Sequence, residues 1–316
     1  MDYIPAAGDA WEAADPVATG WSQPGLDRLA ATVEGSNSTT FIMLAGGRIL
    51  AEHYWGSAHA ATLQDVASVQ KSVTSTLLGI ARDGGLLDFD DAVSDYLHAG
   101  WSKASAADEG RISLRHLMTM SSGLNPNTLR KVAEPGTLFD YNTDAYQKLR
   151  RVLENASGLG IDELSRQWLL DPIDVGSSAG WVERLVGGEP DATGEVPWGL
   201  RLTVRDMARF GLLALRGGRW ADAAVTPDGW FAEAWTPSPA KRDYGLLWWL
   251  LGRGARGGRD APPDWVGALG AGDQKVYVIP SLDLVMARQG QPAAEATEAG
   301  SSFDSTLIQG ILAARL

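Results

Sequence analysis

The placement of the β-rich runs limits how this chain can fold more than any other feature. Residues 41–45 and 48–55 lie near the start, residues 244–250, 274–279 and 284–289 lie near the end, and residues 86–235 between them read as helix and loop. Gly46-Gly47 between the first two runs is a two-residue link of the kind that closes a hairpin, and Pro280-Ser281 separates the last two. Tight turns pair neighbouring strands antiparallel, and no strand and helix alternation of the doubly wound kind is visible. The prediction is an α+β chain with one antiparallel five-stranded sheet flanked by helices. Residues 1–85 and 236–316 supply the sheet domain, and residues 86–235 form an inserted helical subdomain. Residues 1–25, with Pro5, Pro16 and Pro24, read as an N-terminal arm over the surface.

Helices follow from spacing. Val69, Val73, Leu77 and Leu78 recur at helical intervals until Gly84 and Gly85, which suit a C-terminal cap. Residues 113–122 and 203–216 read as helices of the insert, the second with Thr203 and Asp206 at capping-box spacing. Residues 303–316 place Phe303, Leu307, Ile311 and Leu312 on one face.

Composition removes several functions. The chain carries 39 acidic against 27 basic residues, a formal charge of -12, which repels phosphate backbones and anionic lipid. Neither nucleic acid nor a membrane is expected as a partner. The absence of cysteine excludes disulfides, thiolate metal sites and a cysteine nucleophile together. Residues 1–20 show no basic stretch followed by an apolar one, and no run of 18 apolar residues occurs, so a cytoplasmic location is expected.

The sharpest chemical signal is Ser68-Val69-Gln70-Lys71 at the start of a helix. Residues three apart share a helical face, so the Lys71 amine can reach the Ser68 hydroxyl. A serine hydroxyl is a poor nucleophile until a base takes its proton. Lysine serves if burial keeps it neutral; a phenolate serves if a nearby ammonium holds down a tyrosine that starts at about 10. The helix start offers backbone N–H groups to a developing oxyanion.

Other patterns carry less. Gly176-Ser177-Ser178-Ala179-Gly180 fits G-x-S-x-G, but His53, His59, His98 and His116 all precede it, the reverse of the order an α/β-hydrolase triad needs. It reads as a surface turn. The histidines match no zinc spacing, and Asp88, Asp90, Asp91 and Asp95 lack the glycine and glutamate of a calcium loop, so no metal is expected. The glycines at 267, 270 and 272 follow no phosphate-loop spacing, so no nucleotide and no other cofactor is expected.

Ser68 through Ser75, followed by Gly84-Gly85-Leu86-Leu87-Asp88-Phe89-Asp90-Asp91-Ala92-Val93-Ser94-Asp95-Tyr96-Leu97, resembles the serine β-lactamase and penicillin-binding-protein superfamily, in the class C-type branch with esterases and 6-aminohexanoate-dimer hydrolases. Arg115-His116-Leu117-Met118-Thr119-Met120-Ser121-Ser122-Gly123-Leu124, Pro135-Gly136-Thr137-Leu138-Phe139-Asp140-Tyr141 and the stretch from Gly270 to Pro280 follow in the order that resemblance requires. It spans residues 40–316 and implies a β-lactamase/DD-peptidase-like fold with its cleft between sheet and insert. It implies Ser68 as acylated nucleophile, Lys71 as its activating partner and Tyr141 as proton relay.

Two departures narrow the substrate. Tyr141-Asn142-Thr143 lacks the asparagine of Tyr-x-Asn, and Trp265-Val266-Gly267 stands where Lys-Thr-Gly would sit. Tryptophan there removes a cation that would hold a carboxylate, so β-lactamase activity is expected to be weak or absent and the esterases of this fold are the nearer likeness. The same alignment gives Ala268 as second oxyanion donor beside Ser68, and Trp265 and Gly267, with Trp248 or Trp249 from the chain's many tryptophans, are the expected substrate-binding residues. The implied activity is hydrolysis of a small ester or amide, with acyl transfer on the same fold, or a binding protein without catalysis, as the competing readings.

Overall fold

The computed structural model describes residues 3–6, 8, 10–184, 188–254, 260–293 and 303–316. In chain order the first elements are α1 (Gln23–Glu34), β1 (Ser38–Ala45), β2 (Arg48–Tyr54), β3 (Gln64–Asp65), α2 (Val69–Asp83), α3 (Val93–Leu97), α4 (Ala106–Glu109) and α5 (Leu114–Met118). There follow α6 (Thr143–Ser157), α7 (Ile161–Ser165), β4 (Gly180–Glu183), β5 (Trp198–Leu202), α8 (Val204–Leu215), the two-residue strands β6 (Arg219–Trp220) and β7 (Ala223–Ala224), and α9 (Trp230–Ala234). The chain closes with β8 (Val266–Gly270), β9 (Gln274–Ile279), β10 (Leu284–Gly290) and α10 (Phe303–Ala313).

The main sheet runs β2-β1-β10-β9-β8 and is antiparallel throughout, so the two chain ends meet where Ile42 faces Ala287. Gly46 and Gly47 both take positive φ, 59° and 81°, as the tight link between β1 and β2 demands. Strand alternation divides the sheet's two faces. Val276 and Val285 press on Gly211 of α8, where a Cβ would come within 2.6 Å of Val285, while Lys275 and Tyr277 reach Asp304 of α10 on the opposite side. Every residue of β9 and β10 is buried, because helices cover both faces. The arm follows β2: Ala14 N–H bonds Ile49 O at 2.8 Å, and Trp11 Nε1 donates to Gly47 O at 2.8 Å.

The structure corrects three expectations. Residues 244–250 form no strand of the sheet. The segment is a buried loop with Leu247 at φ 59°, its Leu246 and Leu247 carbonyls satisfied by the Ser75 and Ser72 hydroxyls of α2 rather than by a neighbouring strand. The fifth strand is β8, whose two glycines weaken its β signal. Residues 86–235 are not wholly a helical insert: β4 and β5 add to β3 as a small sheet in the order β3-β5-β4, and α8 packs on β1, β9 and β10. The capping box of Thr203 with Asp206 is present at the start of α8. The helix over 113–122 is shorter, ending at Met118 before Met120 turns left-handed. Among the described residues no helix is long and apolar enough to cross a membrane.

Candidate active site

Ser68 sits at the junction of the small sheet and α2. Asp65 Oδ1 accepts the Ala67 N–H at 2.7 Å, and Ala67 takes the left-handed φ of 49°, which costs a non-glycine residue about 1 kcal/mol. That bend delivers Ser68 to the helix start, where its own N–H meets no acceptor among the described residues.

One turn on, Lys71 is 2% exposed, with Nζ 2.8 Å from Ser68 Oγ and 3.3 Å from Thr143 Oγ1. Burial lowers its pKa to about 7; the Arg184 charge pushes the same way and Asp144 opposes. The ring faces of Tyr146 and Tyr141, 4.6 and 5.0 Å from Nζ, also favour the ammonium and temper the depression. A pKa of about 7 leaves a large share, up to about half, of the amine neutral near pH 7.

Tyr141 approaches Ser68 from the position before the N-cap of α6. Asn142 caps that helix by accepting from Ala145 N–H at 2.8 Å, and its amide donates to Leu124 O at 3.0 Å, while the Asp140 N–H bonds Met120 O. The Ser68 hydroxyl beside Tyr141 favours its phenolate only slightly, and burial dominates, pushing the Tyr141 pKa up to about 12. Tyr141 is therefore a phenol at neutral pH. Its ring stacks on Trp249 at 6.0 Å and 23°, and Tyr244 meets both edge-on.

The structure thus brings Ser68, Lys71 and Tyr141 together. Thr143, at the place where asparagine was missing, supplies a polar contact to Lys71; the motif departure itself marked that position. The aromatic assignments change. Trp248 and Trp265 have no exposed surface: Trp248 stacks on Phe210 at 5.7 Å and Trp265 meets Tyr277 edge-on at 5.0 Å. Trp249 is the tryptophan on the Tyr141 ring.

Ala268 is also corrected as an oxyanion donor. Gly267 N–H and C=O exchange bonds with Trp249 at 2.9 and 3.0 Å, so the groups of Gly267 turn away from β9 and those of Ala268, one residue on, turn to Val276 in β9. Alternation returns the edge to Leu269 and, through the extended Gly270 (φ -129°, ψ 154°), to Ala271. Gly267 itself lies beneath the Leu251 side chain, where a Cβ would come within 2.7 Å of it. Gly270 is the residue that abuts the nucleophile turn: a Cβ there would lie 2.5 Å from Val66 O and 3.1 Å from Ala67 Cβ.

Elsewhere, Ser177 and Ser178 lie exposed on a turn leading into β4, with no strand before it. The acidic residues around 88–95 are spent locally: Asp88 and Asp91 accept backbone N–H bonds within the loop, Asp95 caps α3, and Asp90 pairs with Arg115. Among the described residues no three histidine or acidic side chains are placed to hold a metal.

Known proteins share this arrangement of elements. A family VIII carboxylesterase superposes with a TM-score of 0.71 at 16% identity, covering 95% of this chain and 97% of that one. A penicillin binding protein from Bacillus halodurans gives 0.67 at 17% identity, covering 90% and 98%. In sequence, the 6-aminohexanoate-dimer hydrolase of Paenarthrobacter ureafaciens is 22% identical over 312 residues, covering 83% of this chain and 75% of that protein. The beta-lactamase family model matches residues 26–295, from α1 through the last sheet strand and across Ser68, Lys71 and Tyr141. Taken with the fold those structures share, that match establishes that the chain belongs to the beta-lactamase family.

Proposed function

We propose that this protein is a serine hydrolase that cleaves a small ester or amide through an acyl-enzyme on Ser68. One observation carries the reading: a buried amine with its pKa near 7 lies 2.8 Å from the Ser68 hydroxyl. Neutral Lys71 takes the Oγ proton as Oγ bonds to the substrate carbonyl carbon. The Ser68 N–H and the Ala271 N–H at the open edge of β8 receive the oxyanion. As the intermediate collapses, the leaving oxygen or nitrogen takes the Tyr141 phenol proton, and the Lys71 ammonium replaces it. Water then attacks the acyl carbon as neutral Lys71 takes its proton, and when the C–O bond to Ser68 breaks the Lys71 ammonium returns that proton to Oγ. A tyrosine held above neutral pH as a phenol fits a relay better than a base.

The relatives named for carboxylester and 6-aminohexanoate-dimer hydrolysis support esters and amides as the substrate class. A β-lactam fits less well. With the oxyanion donor at Ala271, Ala268 rather than Trp265 takes the anchor position and likewise offers no cation, and the Arg184 guanidinium is held by Asp65 at 2.8 Å. The test is fluorophosphonate labelling with peptide mapping, alongside a panel of p-nitrophenyl esters and nitrocefin. A label on Ser68, ester turnover lost in Ser68→Ala and nitrocefin left intact are the expected results; a label elsewhere, or equal turnover by the variant, contradicts the reading.

A further inference from the structure

The small sheet β3-β5-β4 lies beside the reacting atoms, and bonds from its residues and from Arg184 converge on residues 65–67 and Gln70, on either side of Ser68. Arg184, just past β4, makes a bidentate pair with Asp65 of β3: Nε to Oδ2 at 2.8 Å and NH2 to Oδ1 at 2.9 Å. The same NH2 donates to Gln70 Oε1 at 3.2 Å. Asp65 Oδ1 also accepts the Ala67 N–H, and Gln70 Oε1 also accepts the Leu200 N–H at 3.0 Å. Gln70 Nε2 donates to Trp198 O at 2.9 Å, and Val66 N–H bonds Leu200 O at 2.9 Å. Backbone and side-chain bonds therefore grip residues 65–67 and Gln70, leaving Ser68 at the centre of the bend.

Two glycines clear the space. A Cβ at Gly199 would lie 2.7 Å from Asp65 Oδ2 and 2.8 Å from Arg184 Nε, and one at Gly270 would strike Val66 O. Each lies on a strand beside the bend. The left-handed Ala67 is a conformation that alanine holds only when its surroundings impose it.

We infer that Asp65 and Arg184 are positioning residues for the nucleophile: their ion pair, locked to Gln70, holds the Ala67 bend and so fixes Ser68 Oγ against Lys71. The inference rests on the hydrolase reading for its kinetic consequence, but not for its structural one. A bidentate fork suits the task, since one planar guanidinium can hold two side chains from different elements at once. Lysine at 184 offers a point charge without that geometry.

Two readouts separate the clamp from the chemistry. Hydrogen exchange over residues 66–69 reads the bend whether or not any ester is turned over; faster exchange in Asp65→Ala and Arg184→Ala, with melting within a few degrees of wild type, is expected. Ester hydrolysis then reads the consequence: kcat falls about 10- to 100-fold in both variants with KM nearly unchanged, the loss that a misplaced reacting atom produces. Asp65→Asn, which keeps an oxygen for the Ala67 N–H, recovers part of the rate, and Arg184→Lys recovers less. Unchanged exchange in both alanine variants overturns the clamp, as does wild-type kcat in both. Failure of wild type to acylate Ser68 would instead overturn the hydrolase reading, with exchange still deciding the clamp.

Discussion

At the scale of single residues the site is organised around a lysine kept from water. A buried amine whose pKa falls from 10.5 to about 7 binds its proton less readily in the folded chain than in the unfolded one. Between pH 7 and about 10.5 the unfolded chain then holds the extra proton, so this group's contribution to stability rises with pH across that window and is at its most unfavourable below 7. Lys71→Met removes the cost. The variant is expected to melt several degrees above wild type at pH 6, with the difference shrinking by pH 10, in calorimetry at both pH values. It is also expected to lose about 10²- to 10⁴-fold in ester turnover, the usual worth of a positioned base. A more stable and inactive protein is what a site that stores unfavourable burial for chemistry should give. The spacing of Ser68 and Lys71 was readable in the chain, and so was the gap at Thr143. The lysine's neutrality was not, because it depends on α6 and the Tyr146 and Tyr141 rings closing over it from 70 or more residues away.

At the scale of elements, the difference between residues 244–250 and β8 shows where sequence patterning stops. Both stretches are buried, and the apolar, aromatic one resembles a strand more. Ser72 and Ser75, three residues apart on α2, take up the loop's carbonyls and so make a strand unnecessary there. Gly267 and Gly270, which weaken β8 as a pattern, are what allow Leu251 and the Val66-Ala67 bend to approach it. Once β8 is known, alternation moves the proposed oxyanion donor from Ala268 to Ala271. Ala271→Pro tests this, because the extended Gly270 tolerates a following proline and the change deletes the N–H. Loss of about 10²- to 10³-fold in kcat with melting near wild type is expected. Ala268→Pro, by contrast, breaks the ladder to Val276 and is expected to impair folding itself.

At the scale of the whole molecule, a sheet drawn from both chain ends needs a device that ties the ends together. The β1–β10 pairing and buried Arg288, which donates to Ser38 Oγ at 2.8 Å and Ser36 O at 2.7 Å, supply it, while Asp304 of α10 fastens the last helix to β9, fully buried and bonded to Lys275 Nζ at 2.6 Å and to the Tyr277 hydroxyl, with Asp273 2.9 Å from the same amine. Asp304→Ala removes one carboxylate from that buried cation and is expected to cost about 3 kcal/mol in denaturant unfolding. The split strands, terminal helices and active-site order were legible in the sequence. The assignment of α8 to the sheet layer was not, since a capped amphipathic helix looks the same whichever neighbour buries its face. The central claim remains that neutral Lys71 activates Ser68, and the rate of Ser68 acylation by a fluorophosphonate as a function of pH tests it most directly. The rate should rise to a plateau with a midpoint near pH 7; a midpoint near 10, or a profile unchanged in Lys71→Met, would contradict it.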